Sequence, residues 1–159
     1  LAQQIGVSRA EASDFINHYF ERLSGVKEYL DQVVASAREQ GYVQTICGRR
    51  RYLPELHSSN TGVRSYAERA AANTPLQGSA ADLMKMAMVR LAKALPGVSA
   101  RARLLLQVHD ELVLEVPREE LAAVAALVKE IMQSAWNLDI PLEVEAKAGD
   151  NWRDLAEVK

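Results

Sequence analysis

Two short β-favouring runs, joined by only two residues, constrain the fold more than any other feature of this sequence. The runs cover residues 103–108 and 111–116, and His109-Asp110 is the whole link between them. A two-residue link between such runs predicts an antiparallel β-hairpin. Because both runs are apolar on most of both faces, we expect the hairpin to occupy a central, covered position.

The tip of this hairpin carries two adjacent carboxylates, Asp110 and Glu111, directly after His109. Asp is common in tight turns because its short side chain can bond nearby backbone, so a purely structural role is the simpler interpretation of the residues alone. The functional interpretation is a ligand for Mg²⁺, since a rigid turn holds a hard oxygen donor at an accessible point. His109 would then serve as a general acid or base, or contact a phosphate.

Helical spacing dominates the first 40 residues. Ser8 and Glu11 form a capping-box pattern, which predicts a helix start. Ser24-Gly25 interrupts that helix, and the second helix is expected to end at Gly41. The two helices together predict a helical N-terminal part.

A third helical pattern runs from Val63 to Leu95, and a break is expected at Pro75, because proline removes a backbone donor. Pro96-Gly97 is expected to stop this helix. A further helix is predicted after Pro117, and residues 142–146 read as a final strand.

Composition excludes several classes of protein. The chain has 159 residues, of which 48% are hydrophobic and 25% charged, so it is neither disordered nor collagenous. Cys47 is the single cysteine, so no internal disulfide can form and a reducing compartment fits best. No apolar run approaches the length of a membrane span.

Charge is distributed unevenly along the chain. Residues 49–103 carry 10 basic and 3 acidic groups, whereas residues 104–159 carry 5 basic and 12 acidic groups. The basic middle indicates an anionic partner such as a nucleic-acid backbone, although a solvated surface is the alternative. The acidic end is compatible with cation binding.

The run Arg49-Arg50-Arg51-Tyr52 lies in a second predicted hairpin, which begins at Tyr42. Three adjacent guanidinium groups repel one another in a core and suit phosphate oxygens, so the turn is either solvated or a phosphate contact. The adjacent aromatic residue favours phosphate contact.

Asn73 and Gln77 are four residues apart, and Gly78 follows them. Both amide side chains can donate and accept hydrogen bonds at base edges, including those of the minor groove. Close helix packing around Gly78, with Asn73 as a cap, explains the same residues equally well.

Taken together, these segments resemble the family A DNA polymerases of the bacterial polymerase I type. The resemblance rests on GYVQTICGRRRYLP at 41–54, ERAAANTPLQGSAADL at 68–83, QVHDE at 107–111 and PLEVEAKAGDNW at 141–152. The motifs occur in the family's order and the match covers essentially the whole chain. The ordered set is far more specific than any one of its members.

The resemblance implies template-directed addition of deoxynucleotides to a primer 3′-OH, with two Mg²⁺ ions that stabilise the attacking and leaving oxygens. Asp110 matches the carboxylate that binds these metals, and Glu111 matches its acidic neighbour. His109 and Gln107 match contacts to the primer terminus. Asp110, Glu111 and His109 are therefore the predicted catalytic residues.

The same resemblance implies DNA contacts in the middle of the chain. Asn73 and Gln77 match residues that touch the minor groove near the newest base pair, where correct pairs present similar acceptors. Arg51 and Arg69 match contacts to the template strand. The implied partners are primer–template DNA, deoxynucleoside triphosphates and the remainder of a polymerase chain, in the bacterial cytoplasm at the nucleoid, with no membrane.

The implied fold class is α+β. Residues 1–60 would belong to a helical fingers subdomain, and residues 61–159 to the palm. In the palm, the hairpin that carries Asp110 and the C-terminal strand would form one antiparallel sheet packed with helices.

Two elements of the family are expected upstream of this chain: a second metal-binding Asp in an Asp-Tyr-Ser-Gln-like motif, and the helix that binds the triphosphate. We therefore expect the isolated chain to be inactive. The alternatives are a fragment of a single-subunit RNA polymerase, which shares the palm and a His-Asp turn, and a non-catalytic DNA-binding module.

Overall fold

A computed structural model describes residues 5–158 and confirms a mixed fold of helices and small antiparallel sheets. The chain divides into two compact units, a first that ends at Gly78 and a second that begins at Ser79. Each unit has its own hydrophobic core.

Two helices open the first unit, α1 (Arg9–Arg22) and α2 (Ser24–Gln40). The capping box that starts α1 is confirmed: the Ser8 hydroxyl accepts from the Glu11 N–H at 3.2 Å, and the Glu11 carboxylate accepts from the Ser8 N–H at 2.9 Å. The predicted interruption falls at Leu23, and α2 ends at Gly41 as predicted. Gly41 has a φ of 78°, which glycine adopts without a steric penalty.

The basic hairpin is also confirmed, as β1 (Tyr42–Gln44) paired with β2 (Arg50–Tyr52). A 3₁₀ helix (Pro54–His57) follows it. Small and branched apolar side chains from α2, the hairpin, the 3₁₀ helix and the next helix form the core of this unit: Ala37, Val43, Leu53, Leu56, Ala67 and Ala71. The hairpin packs on this core through one of its two faces.

The third helix, α3 (Thr61–Val98), is continuous through Pro75, so the predicted break there is wrong. In a helix interior, proline removes one backbone donor and costs about 3 kcal/mol or more of stability. The burial of apolar residues before and after Pro75 offsets this cost. Ala71 is fully buried before the proline, and Leu91 is fully buried after it. The Thr74 hydroxyl also donates to the Ala70 carbonyl at 2.6 Å, which adds a bond in the proline's own turn.

Pro96 and Gly97 lie in the last turn of α3 rather than beyond it, and the helix ends one residue later, at Val98. The stop was therefore predicted at nearly the right place. The Ser99 N–H donates to the Leu95 carbonyl at 2.8 Å and closes the helix.

The second unit contains the predicted hairpin, with β3 (Arg103–Val108) antiparallel to β4 (Glu111–Glu115). Val108 lies opposite Glu111, so His109-Asp110 is the two-residue turn, as predicted. A 3₁₀ turn (Arg118–Glu120) leads into α4 (Leu121–Gln133), the helix predicted after Pro117. The buried residues of this unit come mainly from α3 and α4: Ala87, Leu91, Leu95, Ala102, Val124, Ile131 and Ala135.

The prediction that both faces of this hairpin are covered is wrong for the residues that the structure describes. Leu112 and Leu114 pack against the core, whereas Leu105 and Leu106 remain 54% and 50% exposed. Because the sheet has only two strands and the core packs against β4, little of the described chain is left to cover β3.

The predicted final strand at 142–146 is also wrong. The C-terminal sheet is formed instead by β5 (Lys147–Ala148) and β6 (Ala156–Glu157), and it is separate from the β3–β4 sheet. A tight turn causes this pairing: a Cβ on Gly149 would lie 2.0 Å from the Asp154 carbonyl oxygen, so only glycine lets the chain fold back here. Within residues 5–158, the hairpin and the C-terminal strands therefore belong to separate sheets and not to the single sheet expected for them.

Of the helices between residues 5 and 158, none combines the length and apolar character needed to cross a membrane.

Candidate nucleic-acid and metal site

The tip of the β3–β4 hairpin has an unusual backbone. His109 has a φ of 51°, the positive value that two-residue hairpin turns require at their first central position. Glycine usually takes that position, and another residue there costs of order 1–3 kcal/mol. Among non-glycine residues, histidine is one of those that adopt this region most often.

The Gln107 side chain stabilises this turn. Its amide Nε2 donates to the His109 carbonyl at 2.5 Å. Gln107, His109, Asp110 and Glu111 are all exposed at this end of the hairpin. All four predicted residues therefore lie at the same end of the hairpin.

The side chains at the tip are of the type that binds Mg²⁺, but they are too few to fill its coordination shell. Asp110 and Glu111 supply carboxylate oxygens, which Mg²⁺ prefers. No group of three or more His, Cys, Asp or Glu residues that could hold a metal ion occurs in the part of the chain that the structure describes. The donor type thus fits Mg²⁺, and these two carboxylates provide only part of a coordination shell.

A polar cluster fixes the start of the hairpin. The buried Ser99 hydroxyl donates to the Glu120 carboxylate and accepts from the Ala102 N–H at 2.8 Å. Arg101 donates to Glu119 and, at 3.0 Å, to Glu120. The Arg101 guanidinium lowers the pKa of Glu119, and the Ser99 hydroxyl, followed by Arg101, lowers the pKa of Glu120. These contacts tie the segment before β3 to the turn before α4.

The basic residues form a second set, within the first unit. Arg51 reaches α3, where its Nη1 donates to the Thr74 hydroxyl at 3.2 Å. Arg50 lies over the Tyr42 ring, with its guanidinium carbon 4.4 Å from the ring centre. Both arginines are exposed, so an anionic partner can reach their guanidinium groups.

Three predicted DNA contacts share one stripe of α3. Arg69, Asn73 and Gln77 follow one another at intervals of four residues and are all exposed. Residues at this spacing lie on the same face of a helix. The contact from Arg51 to Thr74 places that arginine beside the same stripe.

Gly78 has a structural role inside the first unit. A Cβ on it would lie 2.7 Å from Cγ2 of Thr45, the buried residue that follows β1. The sequence left open whether Gly78 allows a partner surface to approach or allows close packing within the chain. The contact with Thr45 shows that it serves packing within the chain.

Sequence reasoning missed the contribution of Tyr42. Its ring pairs with Tyr52 at 5.7 Å between centres and lies under Arg50. The register of the predicted hairpin, in which Tyr42 lies opposite Tyr52, was the signal that would have found it.

Comparison with known proteins decides the family. The model of DNA polymerase family A matches residues 1–154. The chain belongs to this family. The match confirms the resemblance drawn from the ordered motifs.

Relatives within the polymerase family are close in sequence but much longer. DNA polymerase I of Bacillus caldotenax is 51% identical over 154 residues, which is 97% of this chain and 18% of the relative. DNA polymerase I of Bacillus subtilis (strain 168) is 50% identical over the same shares of the two chains. This family A chain therefore spans about a fifth of the length of these curated relatives.

A solved structure is similar in fold as well as sequence. The polymerase domain of Pol1 from M. smegmatis, in complex with DNA primer–template and dNTP, matches with a TM-score of 0.85 and 52% identity. The match covers 90% of this family A chain and 25% of that chain.

Proposed function

We propose that this chain is part of a DNA-directed DNA polymerase that adds deoxynucleotides to a primer 3′-OH under the direction of a template. The observation that carries the proposal is the likeness, at 52% identity and a TM-score of 0.85, to a polymerase domain bound to primer–template and dNTP. At this identity the likeness supports a shared chemistry as well as a shared fold. Family membership over residues 1–154 agrees with it.

The proposed assignment of subdomains is fingers for residues 1–60 and palm for residues 61–159. The first range contains α1, α2 and the basic hairpin, and the second contains the β3–β4 hairpin. The remainder of a longer polymerase chain is the proposed partner of both.

Arg51 and Arg69 are the proposed contacts to the template strand. Their exposure supports this role, as does the basic charge of residues 49–103. Asn73 and Gln77 are proposed to touch the minor groove at the newest base pair. Their place on the exposed stripe with Arg69 supports this, because amides there can test the acceptors common to all correct pairs.

The tip of the β3–β4 hairpin is proposed to hold Mg²⁺ through Asp110, with Glu111 in support. When bound there, the ion would stabilise charge on the phosphoryl oxygens of an in-line displacement. Gln107 holds the turn through the His109 carbonyl. The His109 side chain, which is exposed at the tip, would contact the primer terminus or transfer a proton there.

The proposed setting is the bacterial cytoplasm, at the nucleoid, with primer–template DNA and deoxynucleoside triphosphates as partners. A polymerase of this family needs a second metal-binding Asp in an Asp-Tyr-Ser-Gln-like motif, and these 159 residues contain no such motif. We accordingly propose that the 159-residue chain alone does not polymerise.

Primer extension by the full-length protein that carries this chain tests the proposal. With Mg²⁺ and a defined template, we expect incorporation of the complementary deoxynucleotide and far slower incorporation of the matching ribonucleotide. A preference for ribonucleotides would favour the single-subunit RNA polymerase. The purified 159-residue chain, assayed in parallel, should give no extension.

The second candidate, a non-catalytic DNA-binding module, is favoured by the incomplete metal site within residues 5–158. It predicts salt-dependent binding to primer–template with no extension under any of these conditions. That outcome for the full-length protein would reject the polymerase and retain the binding module.

A further inference from the structure

The two faces of the β1–β2 hairpin differ in what they contact. Side chains alternate between faces along a strand, and directly opposed residues share a face. Val43, opposite Arg51, is only 5% exposed and points into the core of the first unit. Tyr42 and Tyr52, which oppose each other, therefore lie on the face away from that core.

The outward face presents an aromatic pair that is already ordered. The Tyr42 and Tyr52 rings are 5.7 Å apart with a tilt of 59°, and the Arg50 guanidinium covers Tyr42 at 4.4 Å. Tyr52 nevertheless remains 67% exposed. Its ring is supported from one side and open to solvent on the rest of its surface.

The charge of the hairpin segment that carries this ring is entirely positive. Residues 42–54 contain Arg49, Arg50 and Arg51 and no acidic residue. A ligand that suits both features has regularly spaced negative charges and flat apolar faces. Unpaired nucleotides have this chemistry, and proteins bind them by joining a basic surface with aromatic side chains on which bases stack.

We propose that Tyr52 is a stacking site for an unpaired base of a single-stranded nucleic-acid segment, with Tyr42 and Arg50 holding its ring in place. Arg50, which lies on the same face of the hairpin, and Arg49 in the adjoining turn bind the phosphates on either side of that base. The inference rests on the proposed function, because that function makes a template strand with unpaired bases the natural ligand. The stacking site is sequence-tolerant, since every base has a flat face.

The competing explanation is that the two tyrosines serve only to stabilise the hairpin, as opposed aromatic residues do. An internal role predicts that replacing Tyr52 lowers stability and affects all ligands equally. A stacking role predicts that the loss of affinity depends on whether a base is present. The two explanations separate when the same variants are measured with normal and abasic strands.

The experiment uses the full-length protein and two fluorescent primer–templates that differ only in the template overhang. One overhang has about ten unpaired thymidines, within the usual range of single-strand site sizes, and the other has the same length of abasic sugar-phosphate. The variants are Tyr52→Ala, Tyr52→Phe and Tyr52→Leu, and the matched control is Tyr29→Ala. Tyr29 is another exposed tyrosine of the first unit, on α2.

We expect Tyr52→Ala and Tyr52→Leu to raise the Kd for the thymidine overhang by about 5- to 100-fold, the usual effect of losing one stacked base. The Kd for the abasic overhang should change by less than about 2-fold. Tyr52→Phe keeps the ring and should bind both strands like the wild type, as should Tyr29→Ala. Tyr52→Leu keeps an apolar side chain in β2, so it carries the test if the alanine variant does not fold.

Equal losses on both overhangs, or no loss on either, would overturn the stacking site. If the wild type binds and extends primer–template and the Tyr52 variants bind both overhangs as tightly as it does, only the stacking site is rejected. Protein that neither binds nor extends primer–template rejects the proposed function itself. Binding of an acidic peptide that Tyr52→Ala abolishes, with DNA binding intact, would assign the face to a protein partner instead.

Discussion

Single residues set the conformation of the hairpin that carries the predicted catalytic carboxylates. The positive φ of His109 and the bond from Gln107 to its carbonyl shape the tip, while Ser99 fixes the other end. The sequence was sufficient to predict the two-residue turn, because its length is a local property. The role of Ser99 was not predictable, since Ser99 and Glu120 are 21 positions apart.

Ser99→Ala should lower the free energy of unfolding by about 1–3 kcal/mol, because it leaves the buried Ala102 N–H without its acceptor. Ser134→Ala is the matched control. Ser134 also follows a helix directly, but it is exposed. Urea denaturation of the two variants beside the wild type measures the difference. Equal stabilities for the two variants would contradict the role given to the Ser99 hydroxyl.

The contribution of Arg101 to stability should depend on pH. Glu119 and Glu120 have lowered pKa values in the folded chain, so they stabilise it above their ordinary pKa of about 4.3. That stabilisation is lost as the pH falls below this value toward the folded-state pKa. Arg101→Gln should be less stable than the wild type near pH 7, and the difference should vanish in acid.

Denaturation at a series of pH values measures this effect of Arg101, and Arg22→Gln is its control. Arg22 is an exposed arginine at the end of α1. Its substitution should change stability by an amount that does not vary with pH. A constant difference between Arg101→Gln and the wild type across the acid range would contradict the prediction.

At the scale of elements, α3 shows where sequence patterns are sufficient and where they fail. Its apolar spacing predicted a helix, and the structure has one; the predicted DNA contacts Arg69, Asn73 and Gln77 are exposed on it. A break was predicted at Pro75 because proline locally opposes a helix. Burial of Ala71 and Leu91 on either side overrides that propensity, and such packing depends on residues distant in sequence.

At Gly78, α3 closely approaches Thr45, the residue after β1. Gly78→Ala would place a methyl group 2.7 Å from Thr45 Cγ2. The Thr45 hydroxyl accepts from the Arg49 N–H at 3.2 Å, so rotating that side chain away breaks a bond in the basic turn. We expect a loss of about 1–3 kcal/mol, which exceeds the helix-propensity gain of up to about 1 kcal/mol.

Gly25→Ala is the matched control for this substitution. Gly25 lies in α2, and a Cβ there has no heavy atom within 4 Å. Only the propensity gain should remain, so this variant should match or exceed the wild type in thermal stability. Two variants that are stabilised alike would show that Thr45 moves without cost.

At the scale of the whole molecule, family membership and the mixed fold were predictable, whereas the sheet arrangement was not. The ordered motifs identified the family because they span the chain. The separate β5–β6 sheet depends on the tight turn at Gly149, which no hydrophobic pattern reveals. The apolar β3 strand was expected to be covered, and Leu105 and Leu106 are not covered by the residues that the structure describes.

The residues of the candidate site were predictable from the sequence, but only as two separate groups. The structure places Gln107, His109, Asp110 and Glu111 at one hairpin tip, and Arg69, Asn73 and Gln77 on one stripe of α3. Their proposed roles in DNA and metal binding follow from family membership together with this exposure. The proposed stacking site at Tyr52 was not predictable in full, because the packing of the two rings is not a property of the local sequence.

The central claim is that Asp110 acts in nucleotidyl transfer, and single-turnover incorporation by Asp110→Ala in the full-length protein tests it most directly. The matched control is Asp139→Ala, another exposed aspartate in the second unit. We expect the Asp110 variant to lose about 10³-fold or more in rate, because metal-ion stabilisation contributes several kcal/mol. Its primer–template Kd should change little, and the control should retain both. Wild-type rate in Asp110→Ala would contradict the account and leave Asp110 as a turn residue.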